Sequence, residues 1–194
     1  MGIAFFDFDG TLTRKDTLLK FAAHTHGKMT LCKVLARHIP SFLLSMTGVK
    51  SKGKVKEKIF ERLYGGMKAD EFKALCLSFA DEIDRIARKD MMKRLIRHQE
   101  EGDEVVIVTA SISDWVRPWA ARHGISRVIA TEAETDVSTG RLTGRFSTKN
   151  CKGPEKVRRI RTEFKNIDSM ETWGYGDSKT DLPMLSLTRH PRKV

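Results

Sequence analysis

The sequence predicts an α/β protein, a parallel sheet covered by helices on both faces, with a helical block inserted after the first strand. Three observations carry this. Short apolar runs bounded by Gly, Asp and Ser recur along the chain, each followed by a loop and then by helical spacing. The stretch between the first and second of these runs is far longer than a βα connection and is helical in pattern throughout. Finally, the residues that close the predicted strands carry carboxylates and hydroxyls, at the edge where open α/β sheets bind ligands.

The first strand covers residues 3–6 and runs straight into Asp7-Phe8-Asp9-Gly10-Thr11. Side chains alternate along a strand, so Asp7 and Asp9 leave it pointing the same way, into the crevice beyond its carboxyl end. Two carboxylates held that close raise each other's pKa. A divalent cation would cancel the repulsion while one carboxylate attacks and the other trades protons. An acidic turn, with Gly10 supplying an unusual backbone angle, accounts for the same residues.

The helical block shows one apolar stripe at Leu18, Phe21 and Ala22, a second at Val55, Ile59 and Leu63, and a third at Phe72, Leu75, Phe79, Ile83 and Ile86. A helix over 89–99 returns to the main layer and leads through Gly102 into the second strand. The expected division is a core of residues 1–14 and 88–194 and an inserted helical cap of residues 15–87. Within the cap, residues 39–49 hold Phe42, Leu43, Leu44 and Met46 between basic flanks and are too short to span a bilayer. They either pack inside the cap's own bundle or lie on an anionic membrane surface.

The second strand, 105–108, ends in Thr109-Ala110-Ser111, a corner that can grip a phosphate oxygen or simply cap the helix predicted over 113–123. A third strand covers 128–130, and residues 136–144 read as a small hairpin hanging off the sheet. Asn150-Cys151-Lys152-Gly153-Pro154-Glu155-Lys156 then forms a loop-to-helix junction, with proline in the first turn of a helix over 154–164. A lysine there either reaches a phosphoryl group or is an ordinary surface lysine. The fourth strand, 172–175, is closed by Gly176-Asp177-Ser178, with Asp181 four positions after Asp177 and a helix over 180–187.

With 40% hydrophobic and 31% charged residues, the chain reads as an ordinary soluble protein. Lys and Arg number 36 against 25 Asp and Glu, and the formal charge of +11 favours anionic partners. The basic residues are dispersed, aromatics are only 8%, and no nucleic-acid-binding motif is present, so no nucleic-acid partner is expected. Cys32, Cys76 and Cys151 are odd in number and far apart, which fits neither a disulfide framework nor a zinc site and points to a reducing compartment. Met1 runs almost directly into the first strand without a leader pattern, so the expected location is cytoplasmic, with membrane association if residues 39–49 lie on a surface. The histidines show no zinc pattern, and Trp115, Trp119 and Trp173 read as packing anchors.

Taken together, four pieces supply two carboxylates, a hydroxyl, a lysine and two further carboxylates at four separate strand or helix ends. On Asp-x-Asp-Gly-Thr at 7–11, the strand-terminal Thr109, the lysine of Asn-Cys-Lys-Gly at 150–153 and Gly-Asp-Ser-x-x-Asp at 176–181, the chain resembles the haloacid-dehalogenase-like superfamily in its phosphoserine-phosphatase-like branch. The match runs from the first strand nearly to the last residue. Val-Thr-Ala-Ser at 108–111 and Tyr-Gly-Asp-Ser-Lys-Thr-Asp-Leu-Pro-Met-Leu at 175–185 are similar in particular to uncharacterised or lipid-related phosphatases near the phosphoserine enzymes.

The resemblance implies a Rossmann-like core, an inserted helical cap, and Mg²⁺-dependent hydrolysis of a phosphomonoester through an aspartyl-phosphate. The substrate would be a small phosphorylated metabolite or a phospholipid-type phosphate. Asp7 would be the nucleophile, and Asp9 would protonate the departing alcohol and then deprotonate the attacking water. Thr109 and Lys152 would hold the phosphoryl oxygens, with the amides of Ala110 and Gly10 as further donors. Asp7, Asp177 and the carbonyl of Asp9 would bind Mg²⁺, and Asp181 would orient a metal-bound water or Lys152. The acidic substrate contact of the phosphoserine enzymes corresponds to Asp16, one methylene shorter, and their later arginine has only Lys58 or Arg62 as counterparts. The last sheet element, near Arg192-Lys193-Val194, is expected to be short. Two other functions use the same residues: transfer of the phosphoryl group from Asp7 to an alcohol, and a basic binding module without catalysis.

Overall fold

The computed structural model describes the backbone of residues 2–46 and 52–194 and the side chains of residues 2–36 and 54–194. Its centre is a five-stranded parallel sheet of order β3-β2-β1-β6-β7, made of β1 (Ile3–Phe6), β2 (Glu104–Ile112), β3 (Arg127–Thr131), β6 (Thr172–Gly176) and β7 (His190–Lys193). Every residue of β1 is buried, as a central parallel strand requires, and Phe6 is in register with Ile107 on one side and Tyr175 on the other. Chain order reverses at β1, because β2 and β3 lie to one side of it and β6 and β7 to the other. The crevice between the carboxyl ends of β1 and β6 is therefore a topological switch point.

Alternation along β1 and β2 divides the core. Ala4, Phe6, Val105 and Ile107 face one apolar layer, which contains Met91 and Leu95 of α5 (Lys89–Glu100) and Trp115 and Trp119 of α6 (Ser113–Arg122). Ile3, Phe5, Val106 and Val108 face the other, which contains Ile160 of α7 (Pro154–Glu163) and Met184 and Leu185 of α8 (Leu182–Leu187). The three-layer α/β architecture matches the sequence reading, including proline in the first turn of α7.

Among the described residues, four helices lie between β1 and α5: α1 (Thr17–Met46), α2 (Lys52–Tyr64), α3 (Ala69–Ser78) and α4 (Ala80–Ile86). Helix α1 is broken at Gly27, whose φ of 77° and ψ of 157° lie outside the helical region. Phe21, Phe60, Tyr64, Phe72 and Phe79 are buried and join the apolar layer that holds Trp115. Phe21 stacks on Trp115 with ring centroids 4.8 Å apart. The chain segments leading into and out of these helices pair at their base, with Arg14 N–H donating to the Ile86 carbonyl at 2.8 Å and Arg88 N–H to the Leu12 carbonyl at 2.8 Å. The side chains of residues 39–49, read as a bundle or membrane-surface segment, lie outside the described residues. Among the described residues, no helix is long and apolar enough to cross a membrane.

One element differs from expectation. The hairpin of β4 (Ala133–Asp136) and β5 (Arg141–Phe146) does not hang free. It is bonded to the turn after α2, where Gly66 N–H donates to the Leu142 carbonyl at 2.8 Å and Leu142 N–H to the Met67 carbonyl at 2.9 Å. Gly144 lies so close to α2 that a Cβ there would come within 2.7 Å of the Glu61 Cα. At the other edge, β7 is a short, exposed strand paired in parallel with β6, consistent with a brief final sheet element. Trp115 and Trp119 are fully buried anchors, while Trp173 is only partly buried. All three cysteines are free.

Candidate active site

Asp7 is the first residue after β1, and its N–H still donates to the Tyr175 carbonyl of β6 at 2.9 Å, so its position is set by the sheet itself. Its side chain is about nine-tenths buried, and its Oδ1 accepts a hydrogen bond from the ammonium of Lys156 at 2.5 Å. The same ammonium donates to Oδ1 of Asp181 at 2.7 Å. Oδ2 of Asp181 accepts from the N–H of Ser178 at 3.0 Å and from its hydroxyl at 2.7 Å. Asp7, Asp177 and Asp181 each present an oxygen within 4.8 Å of the others. Three carboxylates against one ammonium leave two negative charges, and a set of hard oxygen donors with that charge fits a divalent cation such as Mg²⁺.

Burial pushes the carboxyl of Asp7 up to about 6, with the Lys156 charge working in the opposite direction. Burial likewise raises Asp177, and the neighbouring Asp181 charge adds to it. Burial would raise Asp181 as well, but the charge and hydrogen bond of Lys156 outweigh it and hold this carboxyl below its ordinary value. Lys156 is held above its ordinary value, because the two carboxylates it bridges outweigh the burial that would lower it.

Asp9 is turned to different partners. Its Oδ1 accepts from the N–H of Thr17 at 2.9 Å and from the Thr17 hydroxyl at 2.7 Å, and its Oδ2 accepts a short hydrogen bond from the hydroxyl of Ser111. Burial raises its pKa, the Asp16 charge adds to that, and the bonds from Ser111 and Thr17 oppose it. The carboxylate of Asp9 is thus outside the metal-type cluster, although it shares the cavity. Gly10 makes the loop possible: its φ of +87° suits glycine, and a Cβ there would come within 2.4 Å of Asp177 Oδ2. The Gly10 carbonyl accepts from Arg88 at 3.1 Å.

Asp7, Asp9, Asp16, Thr109, Ala110, Lys152, Asp177 and Asp181 all line one cavity of about 410 Å³, so the structure brings the predicted motif residues together. Thr109 and Ser111 do not cap α6, whose first residue follows Ile112 with no side-chain cap. Thr109 Oγ1 accepts instead from the N–H of Ser111 at 2.9 Å, in the stretch of β2 between Val108 and Ile112 where its pairing with β3 shifts register.

Three expectations need correction. The lysine joined to Asp7 and Asp181 is Lys156, not Lys152, which lines the cavity but has no ion-pair partner among the described residues. Lys156 stands in the first turn of α7, where side chains slant back toward the helix N-terminus and so toward the sheet edge. Its spacing of four from the buried Ile160 was the sequence signal for an inward-facing position. Lys58 and Arg62 are exposed on α2 and do not line the cavity; the lysine of α2 that does is Lys56. At helical spacing Lys56 falls within the arc of the buried Val55, Ile59, Phe60 and Leu63, whereas Lys58 and Arg62 fall outside it. Lys56 donates a short hydrogen bond to the Ala110 carbonyl, and burial lowers its pKa against the pull of Asp9 and Asp16. Thr17, Ser111 as a partner of Asp9, and Arg88 were likewise missed.

A second cluster, His98, Glu101 and Asp103, lies behind the sheet. His98 is already bonded on both ring nitrogens, to Asp103 at 2.9 Å and to the Tyr175 hydroxyl at 2.8 Å, which accounts for its burial structurally.

A family model described as haloacid dehalogenase-like hydrolase matches residues 4–186. The chain is 31% identical over 183 residues to the protein CicA of Caulobacter vibrioides, covering 94% of this chain and 81% of that one. It aligns with a crystal structure of a Bordetella pertussis protein of unknown function at a TM-score of 0.79 and 24% identity, covering 95% and 85% of the two chains. With a substrate-bound phosphoserine phosphatase the TM-score is 0.64 at 17% identity, covering 96% and 82%.

Proposed function

The chain belongs to the haloacid dehalogenase-like hydrolase family, and from that premise we propose that it is a Mg²⁺-dependent phosphatase that hydrolyses a phosphomonoester by way of phosphate carried on Asp7. The observation that carries this reading is the buried Asp7 carboxylate, tied to Lys156 and gathered with Asp177 and Asp181 in the floor of a cavity. In this reading the inserted helices, residues 15–87, form the cap that shields the reaction from water.

Asp7 attacks phosphorus while the bond from phosphorus to the ester oxygen breaks, and Asp9 in its protonated form gives its proton to the departing alkoxide. Burial and the nearby Asp16 support that protonated form, because both raise the pKa of Asp9. In the second half, Asp9, now ionised, takes a proton from water as the water oxygen attacks phosphorus, which releases Asp7 and inorganic phosphate. Thr109, the Ala110 amide and Lys152 bind the phosphoryl oxygens, and Lys156 neutralises charge beside Asp7. Asp7, Asp177 and the Asp9 carbonyl would hold Mg²⁺, with Asp181 orienting Lys156. When bound, Mg²⁺ supplies positive charge to the phosphoryl oxygens.

The test is release of phosphate from an aryl phosphate. The native chain should release it with Mg²⁺ and lose the activity on chelation, and Asp7→Asn should abolish it. Turnover retained by Asp7→Asn overturns the proposal.

A further inference from the structure

We propose that the phosphate ester accepted by this site carries an apolar alcohol, an alkyl or acyl chain, rather than an amino-acid or sugar backbone. This inference rests on the phosphatase reading above and adds the identity of the leaving group. The cavity has two unlike sides. The core supplies Asp7, Asp9, Asp177, Asp181, Lys152, Lys156 and the Thr109 corner, whereas the inserted helices line it with Leu18, Leu19, Leu35, Val55 and Ile59. Among the described residues, the only charged groups the inserted segment brings to the cavity are Asp16 and Lys56. Lys56 is already engaged, because its ammonium donates to the Ala110 carbonyl and lies among the charges of Asp9 and Asp16.

A phosphorylated amino acid brings a second carboxylate and an ammonium, and each must find a partner when it leaves water. Among the described residues, the carboxylate meets no uncommitted cation on the side formed by the inserted helices, since Lys58 and Arg62 are exposed on α2 and do not line the cavity. Sugar hydroxyls facing five aliphatic side chains also lose hydrogen bonds without replacement. An alkyl chain has no such groups to satisfy and gains contact with every residue of that wall. Leu19 is 37% exposed, a large aliphatic side chain left partly open to solvent where it lines the cavity. A bound chain would cover it.

The experiment measures kcat/KM of the full chain with Mg²⁺ for ethyl, butyl and octyl phosphate, each below its micelle concentration, and for O-phosphoserine. Expected is a rise of about two- to fourfold per added methylene until the wall is covered, with O-phosphoserine at least about tenfold below butyl phosphate. The rise should come from a falling KM at nearly constant kcat, because the chain makes the same contacts before and during reaction. Leu19→Gln and Leu35→Gln should each flatten the chain-length slope. If either variant fails to fold, the series measured on the native chain decides alone. A flat series, or O-phosphoserine turned over faster than butyl phosphate, overturns the apolar preference and leaves the phosphatase standing. No phosphate from any ester, with or without Mg²⁺, overturns the phosphatase reading itself.

Discussion

Ser111 donates its hydroxyl to Oδ2 of Asp9 and so ties the end of β2 to the loop that follows β1. The Thr17 hydroxyl, 2.9 Å from Ser111 Oγ, completes the cluster at the start of α1. A carboxylate held from both oxygens in this way keeps one orientation through a proton transfer in either direction.

Asp9→Asn should therefore lower phosphate release by about 10²- to 10⁴-fold, the range for losing one general acid–base. Alkyl esters should suffer more than aryl esters in the first step, because an alkoxide needs the proton and a phenolate needs it less. Single-turnover rates on the two ester types would separate these effects.

In Ser111→Ala the carboxylate loses a hydrogen bond that favours its ionised form, so the pKa of Asp9 should rise further above its ordinary value. The ionisation on which water activation depends then moves to higher pH. A pH–rate profile for an aryl phosphate should show that limb displaced upward in the variant, and an unmoved limb would separate Ser111 from the chemistry.

Gly10→Ala forces a side chain onto a backbone at φ +87° and into Asp177. The backbone conformation alone costs roughly 1–2 kcal/mol, and Asp177 must also withdraw from its neighbours. Thermal unfolding should report the lower stability, and the stabilisation given by added Mg²⁺ should shrink with it.

Lys156→Met leaves Asp7 and Asp181 buried without their shared cation. Removing one partner of a buried ion pair costs about 3–5 kcal/mol, measurable by urea denaturation at neutral pH. The deficit should narrow as the pH falls, because the unpaired carboxylates of the folded variant take up protons more readily than those of its unfolded chain.

Glu155, in the first turn of α7, is held down to about 2 chiefly by its hydrogen bond to Arg158, with Arg159 adding to the effect. A carboxyl lowered on folding stabilises the protein above its unfolded pKa and loses that contribution as pH falls toward the folded value. Glu155→Gln should cost about 1 kcal/mol at neutral pH, and the two proteins should converge between pH 4.5 and about 2.

The sheet was legible because β1 and the middle of β2 are continuous apolar runs buried on both faces, and because Asp7 and Asp177 punctuate strand ends; Thr109, expected to close the second strand, lies inside β2, which continues to Ile112 past an irregularity in its pairing with β3. The identity of the buried lysine was not. Lys152 and Lys156 stand on either side of Gly153, and only the direction of the first turn of α7 separates the one that reaches Asp7 from the one that does not. Lys56 was hidden for a related reason: a lysine inside an apolar stripe reads as an interruption until its partner, a carbonyl on β2, is known. The hairpin's docking on α2 was equally invisible, since it depends on backbone hydrogen bonds between Leu142 and residues Gly66 and Met67 that carry no sequence signature.

That docking has a mechanical consequence. Helices joined to the rest of the molecule only at the Leu12–Arg88 base could swing about it as a flap. Here the β4–β5 ribbon grips the same helices from the far edge of the sheet, so widening the mouth above Asp7 must drag the ribbon along or unzip Leu142 from its neighbours. Under the phosphatase reading, the speed at which product escapes would then depend in part on a ribbon of chain that never meets phosphate.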